Sequence, residues 1–69
     1  MTDHVYKKLE LVGSSTVSID DAIKTAISKT DESVKNMRWF EVQQIRGEIA
    51  DGDVAHFQVT VKVGFTVEG

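Results

Sequence analysis

The chain has 69 residues, of which 28% are charged and 41% hydrophobic, a formal net charge of −3, and no cysteine or proline. This composition excludes a disordered segment, a membrane span and a collagen-like repeat, and it leaves one small soluble domain over residues 1–69. Without cysteine there is neither a disulfide framework nor a thiolate zinc site. With only His4 and His56 as histidines, we expect no metal site.

Charge and size also limit the partners. The eight lysines and arginines are spread from Lys7 to Lys62 without a basic stripe, so we expect no nucleic-acid partner, and no apolar run suits a membrane. The start, Met1 to His4, lacks the layout of a secretion signal, which favours the cytoplasm. Ordering 69 residues costs on the order of 100 kcal/mol, and so small a core roughly balances that cost, which favours self-association.

The first predicted element is a half-buried strand over residues 4–12. Val5, Leu9 and Leu11 fall on one side, and Tyr6, Lys8 and Glu10 fall on the other. The run from Gly13 to Thr16 then interrupts the alternation. Ser18 followed by Asp21 resembles a helix capping box, so a helix is expected to start near Ile19.

The next segment predicts one amphipathic helix of about four turns that ends before Arg38. Its apolar positions keep to one face at spacings of three, four and seven: Ile19, Ala22, Ile23, Ala26, Ile27, Val34 and Met37. Asp20 and Asp21 near the start and Lys35 near the end suit the helix dipole.

Two long strands are predicted at residues 38–50 and 53–67, joined by a tight turn at Asp51-Gly52. A two-residue turn fixes the register, which pairs Val42 with Val61, Phe40 with Val63, Glu41 with Lys62, and Trp39 with Gly64. The first two pairs are expected in the core. The order strand, helix, strand, strand predicts an α+β fold in which a three-stranded antiparallel sheet wraps around one helix.

This register places apolar and polar groups together on the face away from the core. Ile45, Ile49 and Val54 share it with Gln43, Gln58 and Thr60. Two explanations stay open: either a β-bulge turns the isoleucines inward, or the face is an assembly surface.

Trp39 and Gln58 are the candidate binding residues on this face. An indole beside the bare Gly64 is a natural stacking platform for a flat ring, and the alternative is a hydrophobic anchor at a subunit contact. The Gln58 amide can donate and accept at one edge of a pyrimidine-like ring, or it can simply face water. Gln58 lies six residues from Gly64, about 20 Å at 3.3 Å per residue, so a joint site would need different subunits.

No catalytic constellation is visible. His4 and His56 are far apart, no Ser-His-Asp set can be assembled, and Gly13 and Gly47 stand alone without a phosphate-binding fingerprint. We therefore expect no enzyme activity and name no catalytic residue.

Several segments together resemble the bacterial dodecins. They are Trp39-Phe40-Glu41-Val42, Ile45-Arg46-Gly47, His56 to Phe65, Val5-Tyr6-Lys7, and Glu10 to Ser15. The resemblance implies a flavin-binding protein, not a flavoenzyme, in which twelve strand-helix-strand-strand units form a hollow shell and hold flavins as stacked pairs between subunits. It assigns ring stacking to Trp39, a hydrogen bond at the ring edge to Gln58, and a role at the flavin site to Arg46. The register, however, puts Arg46 on the core side opposite Phe57, at a strand bend or in reach of a neighbouring chain.

The resemblance also implies the ligand, and one alternative function stands beside it. FMN or riboflavin is the expected cofactor. Several bacterial relatives carry a basic residue where this chain has Thr66, a change that argues against coenzyme A binding and removes a partner for the FMN phosphate. The alternative to flavin storage and photoprotection is an oligomeric shell that binds no flavin.

Overall fold

The computed structural model describes residues 3–67, so Met1 and Thr2, which entered the expectation about location, lie outside it. Four elements follow one another: β1 (Tyr6–Ser15), α1 (Ile19–Thr30), β2 (Met37–Ala50) and β3 (Asp53–Thr66). The three strands form one antiparallel sheet in the order β1-β3-β2, which places β3 at the centre. The predicted α+β fold is confirmed. Across the described residues, no helix is both long and apolar enough to cross a membrane.

The hairpin between β2 and β3 turns where the sequence predicts. Asp51 has φ 53° and Gly52 has φ 80°, both in the left-handed region that a two-residue turn of this kind requires. Ala50 pairs directly with Asp53 across the turn.

The start of α1 is confirmed, and its predicted end is wrong. Ser18 is the N-cap, and its hydroxyl accepts a hydrogen bond of 3.0 Å from the backbone N–H of Asp21. The helix ends at Thr30, after about three turns, and a turn follows at residues 31–33. Asn36, with φ 66°, then leads into β2, so Met37 reaches the core from a strand and not from the helix.

β1 also runs further than predicted, because Gly13, Ser14 and Ser15 continue the pairing with β3. Gly13 lies directly beneath α1, where an added Cβ would collide with the carbonyl oxygen of Ala22. The glycine therefore does not break the strand; it allows the helix to approach the sheet.

The buried core is small and centred on β3. Among the described residues, Ala22 of the helix and Val59, Val61 and Val63 of β3 are the buried hydrophobic side chains. The partly buried residues packed around them are Leu11, Ile19, Ile23, Ile27 and Met37.

The expectation that Phe40 and Val42 belong to the core is wrong for this single protomer. Each pairs with a buried valine of β3 as predicted. The helix, however, packs on β1 and β3 and leaves the β2 side of the sheet uncovered. Phe40 stays 47% exposed and Val42 stays 43% exposed.

Two β-bulges correct the predicted positions of Ile45 and Arg46. One shift lies between Val42 and Gln44, and the other lies between Glu48 and Ile49. Between the two shifts, each residue of β2 lies on the face of the sheet opposite to the one that a simple two-residue turn predicts. Ile45 therefore pairs with Val59, and Arg46 pairs with Gln58. The two shifts cancel, which is why the predicted pairs from Trp39 to Val42 are nevertheless correct.

The bulges turn the isoleucines to the helix side, as one of the two explanations proposed. Ile45, Ile49, Val54 and Phe57 line a shallow groove of about 300 Å³ together with Ile19 of the helix. Ile45, Ile49 and Val54 nevertheless stay more than half exposed in the single protomer.

Candidate functional site

The candidate site lies on the sheet face that points away from α1, which we call the far face. On β3 it carries Gln58, Thr60, Lys62 and Gly64, which alternate with the buried valines. Polar side chains of β1 and β2 flank these residues, because each strand alternates in the same way.

Trp39 lies flat on Gly64 at one end of the far face. The two residues are cross-strand partners, and a Cβ added to Gly64 would overlap the six-membered ring of the indole. Only glycine leaves enough room for this close contact. The indole remains 37% exposed, so one side of the ring system rests on the backbone while part of it faces outward.

Tyr6 and Glu41 hold the edges of the indole. The Tyr6 ring meets it edge-to-face with the ring centroids 5.1 Å apart, and the indole Nε1–H donates a hydrogen bond of 2.8 Å to Oε2 of Glu41. Lys8 reaches across from β1 and forms an ion pair of 2.8 Å with the same carboxylate. These contacts fix the plane of the ring before any ligand is bound.

The environment of Glu41 favours its charged form. The hydrogen bond from the Lys8 ammonium, and then that from the Trp39 indole, hold the pKa of the Glu41 carboxyl below its usual value. Lys62, the cross-strand partner of Glu41, adds a further positive charge in the same sense. The indole N–H therefore faces a full negative charge at neutral pH.

Gln58 and Arg46 are cross-strand neighbours at the other end of the far face. The structure brings together these two candidates, which sequence reasoning had placed on opposite sides of the sheet. Neither side chain forms a hydrogen bond with another side chain of residues 3–67, so the amide and the guanidinium are available to a ligand.

The two ends of the far face are well separated. Gly64 under Trp39 and Gln58 beside Arg46 stand six residues apart on β3, about 20 Å along the strand. One flat ring stacked on Trp39 cannot also touch Gln58 of the same chain. A site that uses both must be completed by a second copy.

Sequence reasoning missed the contribution of Tyr6, Lys8 and Glu41 to the indole platform. For Tyr6 and Lys8 the available signal was the alternation of the first strand, which puts both residues on its polar side. Nothing in the sequence, however, showed that β1 pairs with β3 so that Lys8 lies opposite Gly64. The pairing of two strands depends on long-range contacts, which the periodicity of each strand does not predict.

Comparison with known proteins agrees with the fold. The sequence model of the dodecin family matches residues 5–68. The dodecin of Thermus thermophilus is 42% identical over 64 residues, which make up 93% of this chain and 93% of that protein.

Solved structures show the same similarity. Dodecin from Streptomyces coelicolor is 42% identical, with a TM-score of 0.94 over 100% of this chain and 99% of that one. Dodecin from Streptomyces davaonensis is 40% identical, with a TM-score of 0.93 over 99% and 100% of the two chains. Solved Thermus thermophilus structures include a variant with a tryptophan changed to phenylalanine.

The chain belongs to the dodecin family. Proteins of this family are small self-assembling binding proteins and not enzymes. The predicted family and the predicted lack of catalytic activity are therefore confirmed, and the question becomes what the far face binds.

Proposed function

We propose that this protein binds oxidised FMN or riboflavin as stacked pairs between the subunits of a hollow homododecamer. In this role it buffers free flavin in the cytoplasm and suppresses flavin photochemistry, without turning over a substrate. We propose neither a nucleic-acid nor a membrane partner, in keeping with the net charge of −3 and the absence of a basic stripe.

The observation that carries the proposal is the fixed, outward-facing indole of Trp39. Its support by Gly64, Tyr6 and Glu41 means that little side-chain entropy remains to be lost when a flat ligand stacks on it. An isoalloxazine ring is flat and electron-poor, and an indole is electron-rich, so offset stacking suits both. The same pairing allows the indole to quench the excited flavin by electron transfer.

The Gln58 end supplies the second part of the proposed site. The amide of Gln58 can both donate to and accept from the pyrimidine edge of the isoalloxazine, and Arg46 beside it adds a positive charge. Because this end lies about 20 Å from the indole of its own chain, a neighbouring subunit must bring it to the ring. This geometry supports a ligand shared between subunits.

The uncovered helix-side face of β2 supports self-association. Ile23, Ile27, Met37 and Phe40 border an apolar groove of about 570 Å³ between the helix and β2. Phe40 and Val42 complete the core only if another copy covers them. Burial of this apolar surface contributes roughly 25 cal/mol for each Å² removed from water.

We propose neither a metal nor coenzyme A as a ligand, the latter because this chain has Thr66 where several relatives carry a basic residue. Residues 3–67 hold no cluster of three or more histidine or acidic side chains able to bind a metal ion. We therefore restrict the proposal to flavins.

The experiment is a titration of FMN into the flavin-free protein, followed by flavin fluorescence. We expect strong quenching by the wild type, and we expect Trp39→Ala to lose about 1–3 kcal/mol of binding energy, the range for an aromatic stacking contact. That loss corresponds to a roughly five- to 150-fold higher Kd and to restored fluorescence. Trp39→Phe should keep part of the affinity and lose most of the quenching.

The control is Thr25→Ala, which changes an exposed residue of the helix outside the apolar groove and should leave both readouts unchanged. A colourless protein with no effect on FMN fluorescence would instead favour a shell that binds no flavin. Unchanged affinity in Trp39→Ala, with the assembly intact, would contradict the stacking role.

A further inference from the structure

The single tyrosine of the chain lies against its single tryptophan. The Tyr6 ring meets the Trp39 indole edge-to-face, with the ring centroids 5.1 Å apart and the ring planes at 75°. The chain has no cysteine, and Met37, the one methionine of residues 3–67, packs against the core. Within residues 3–67, the phenol of Tyr6 is therefore the easily oxidised group that touches the indole.

The two rings differ in their access to solvent. The indole rests on Gly64, its N–H is bonded to the Glu41 carboxylate, and in the proposed function a flavin covers its open side. Tyr6 is 47% exposed, and its hydroxyl takes part in none of the side-chain hydrogen bonds of residues 3–67. The phenol thus connects a ring that a ligand covers with the surrounding water.

The proposed quenching step oxidises the indole for a short time. The excited flavin takes one electron from Trp39, which leaves a flavin radical and an indole radical cation, and most events end when that electron returns. In the other events dioxygen takes the electron from the flavin radical and becomes superoxide, so the indole stays oxidised. Its N–H proton remains within the hydrogen bond to Glu41. An indole radical that is not reduced reacts with oxygen, and the stacking platform is destroyed.

We propose that Tyr6 is a one-electron relay that reduces the oxidised indole of Trp39. The inference rests on the proposed flavin-binding function and adds to it the residue that keeps the platform intact. Tyr6 passes one electron to the indole radical through the ring contact and releases its phenol proton to water, which restores the indole and forms a phenoxyl radical. A small thiol in solution then returns one electron and one proton to the phenoxyl radical, and the thiol becomes a thiyl radical.

The direction and the speed of the transfer favour this role. At neutral pH a phenol that loses its proton on oxidation is a stronger one-electron donor than an indole, so the electron moves from Tyr6 to Trp39. Electron transfer weakens steeply with distance, and the two rings are in contact. The exposed phenol also allows the proton to leave and a reductant to approach.

The edge contact has a structural explanation as well, because Tyr6 holds the plane of the indole by packing. Packing needs the ring of Tyr6, whereas the relay needs its hydroxyl. Tyr6→Phe keeps the ring and removes the hydroxyl, and it breaks no side-chain hydrogen bond within residues 3–67. Tyr6→Leu removes the ring and the hydroxyl together.

The test illuminates the FMN-loaded protein with blue light in aerated buffer and follows the oxidation of Trp39 by peptide mass spectrometry. All variants are compared at the same FMN occupancy. We expect Tyr6→Phe to bind FMN and quench its fluorescence as the wild type does, and to lose Trp39 severalfold faster. Tyr6→Leu should lose Trp39 at a rate similar to that of Tyr6→Phe.

A second measurement needs no flavin. Azide radicals generated by pulse radiolysis oxidise tryptophan selectively, so they produce the indole radical of Trp39 directly in the flavin-free protein. We expect the absorption of this radical to decay as that of a phenoxyl radical rises, at a rate that does not depend on protein concentration. This conversion should be absent from Tyr6→Phe.

The outcomes distinguish this inference from the function beneath it. A wild type that neither binds FMN nor quenches its fluorescence overturns the proposed function and the protective role together. A wild type that binds FMN, but whose indole radical yields no phenoxyl radical, overturns the relay and leaves flavin binding intact. Equal loss of Trp39 in the wild type and in Tyr6→Phe, with faster loss only in Tyr6→Leu, would assign packing to Tyr6 and also overturn the relay.

Discussion

At the scale of single residues, the far face is organised around the indole of Trp39. Gly64 lies below the ring, Tyr6 meets one edge, and Glu41 accepts its N–H. The sequence alone predicted the contact with Gly64, since the hairpin turn sets that register. It did not predict the contacts with Tyr6 and Glu41, which depend on the pairing of β1 with β3 and on side-chain rotamers.

The acidic partner of the indole leads to a pH prediction. The pKa of Glu41 is lowered in the folded protein, so its interaction with Lys8 and Trp39 is complete at neutral pH. It is lost only as the pH falls through that lowered pKa. We expect the emission of Trp39, the one tryptophan of the chain, to change with a midpoint below the usual glutamate value of about 4.3.

The matched control is Glu41→Gln, which keeps an oxygen for the indole N–H and removes the charge. Its Trp39 emission should lack this acid transition while the assembly remains intact by size-exclusion chromatography. Identical titration curves for the wild type and the variant would exclude Glu41 as the titrating partner.

At the scale of elements, the type and order of all four helices and strands were predicted correctly from the sequence. The predicted boundaries and register were wrong where a local feature overrides periodicity. Val34 and Met37 fit the spacing of the helix, yet the chain leaves it after Thr30 and enters β2 through Asn36 in the left-handed region. Periodicity reports which residues face the core. It does not report whether they reach it from a helix or from a strand.

The bulges of β2 show that, in strands too, periodicity alone does not predict where the register changes. A simple two-residue turn predicts every pair from Trp39 to Val42, because the two later shifts cancel. It fails at Ile45 and Arg46, which lie between those shifts. The mixture of apolar and polar residues on one predicted face was the available signal, and it allowed either a bulge or an assembly surface.

The helix start yields a prediction about stability. Ser18 caps α1, and Ser15 supports the cap by accepting hydrogen bonds from the N–H groups of Val17 and Ser18. Ser18→Ala should lower the free energy of unfolding by about 1 kcal/mol per subunit, the usual cost of a lost N-cap. Urea unfolding at one fixed protein concentration measures it, since association contributes to stability.

Thr25→Ala is again the matched control, because it also removes a hydroxyl, at an exposed position within the helix and outside the apolar groove. It should be neutral or slightly stabilising, since alanine is the better helix former. If both variants lost the same stability, the capping role of Ser18 would be wrong.

At the scale of the whole molecule, the protomer is too extended to be a finished globule. Its radius of gyration is 14.5 Å and its extents are 56 × 21 × 13 Å, whereas a compact chain of this length has a radius of about 11 Å. Its accessible surface is 5052 Å², against about 4300 Å² for a monomer of this mass. The exposed Phe40 and Val42 on the uncovered side of β2 contribute to this excess surface, and a second copy can bury them.

The extended shape of the protomer and the separation of the two ends of its candidate site both support self-association. The long sheet separates the indole end from the Gln58 end, so neither end alone encloses a ligand. Association both covers the exposed Phe40 and Val42 and supplies the missing half of the site. In the proposed function, flavin binding therefore depends on assembly.

Native mass spectrometry of the protein incubated with FMN tests this account most directly, since it reports the number of chains and of bound flavins in one particle. We expect a particle of about 92 kDa, twelve times the 7.7 kDa of one chain, with additional mass from FMN that is much reduced for Trp39→Ala. A species of 7.7 kDa at every protein concentration, or a twelve-chain particle that retains no FMN, would contradict it.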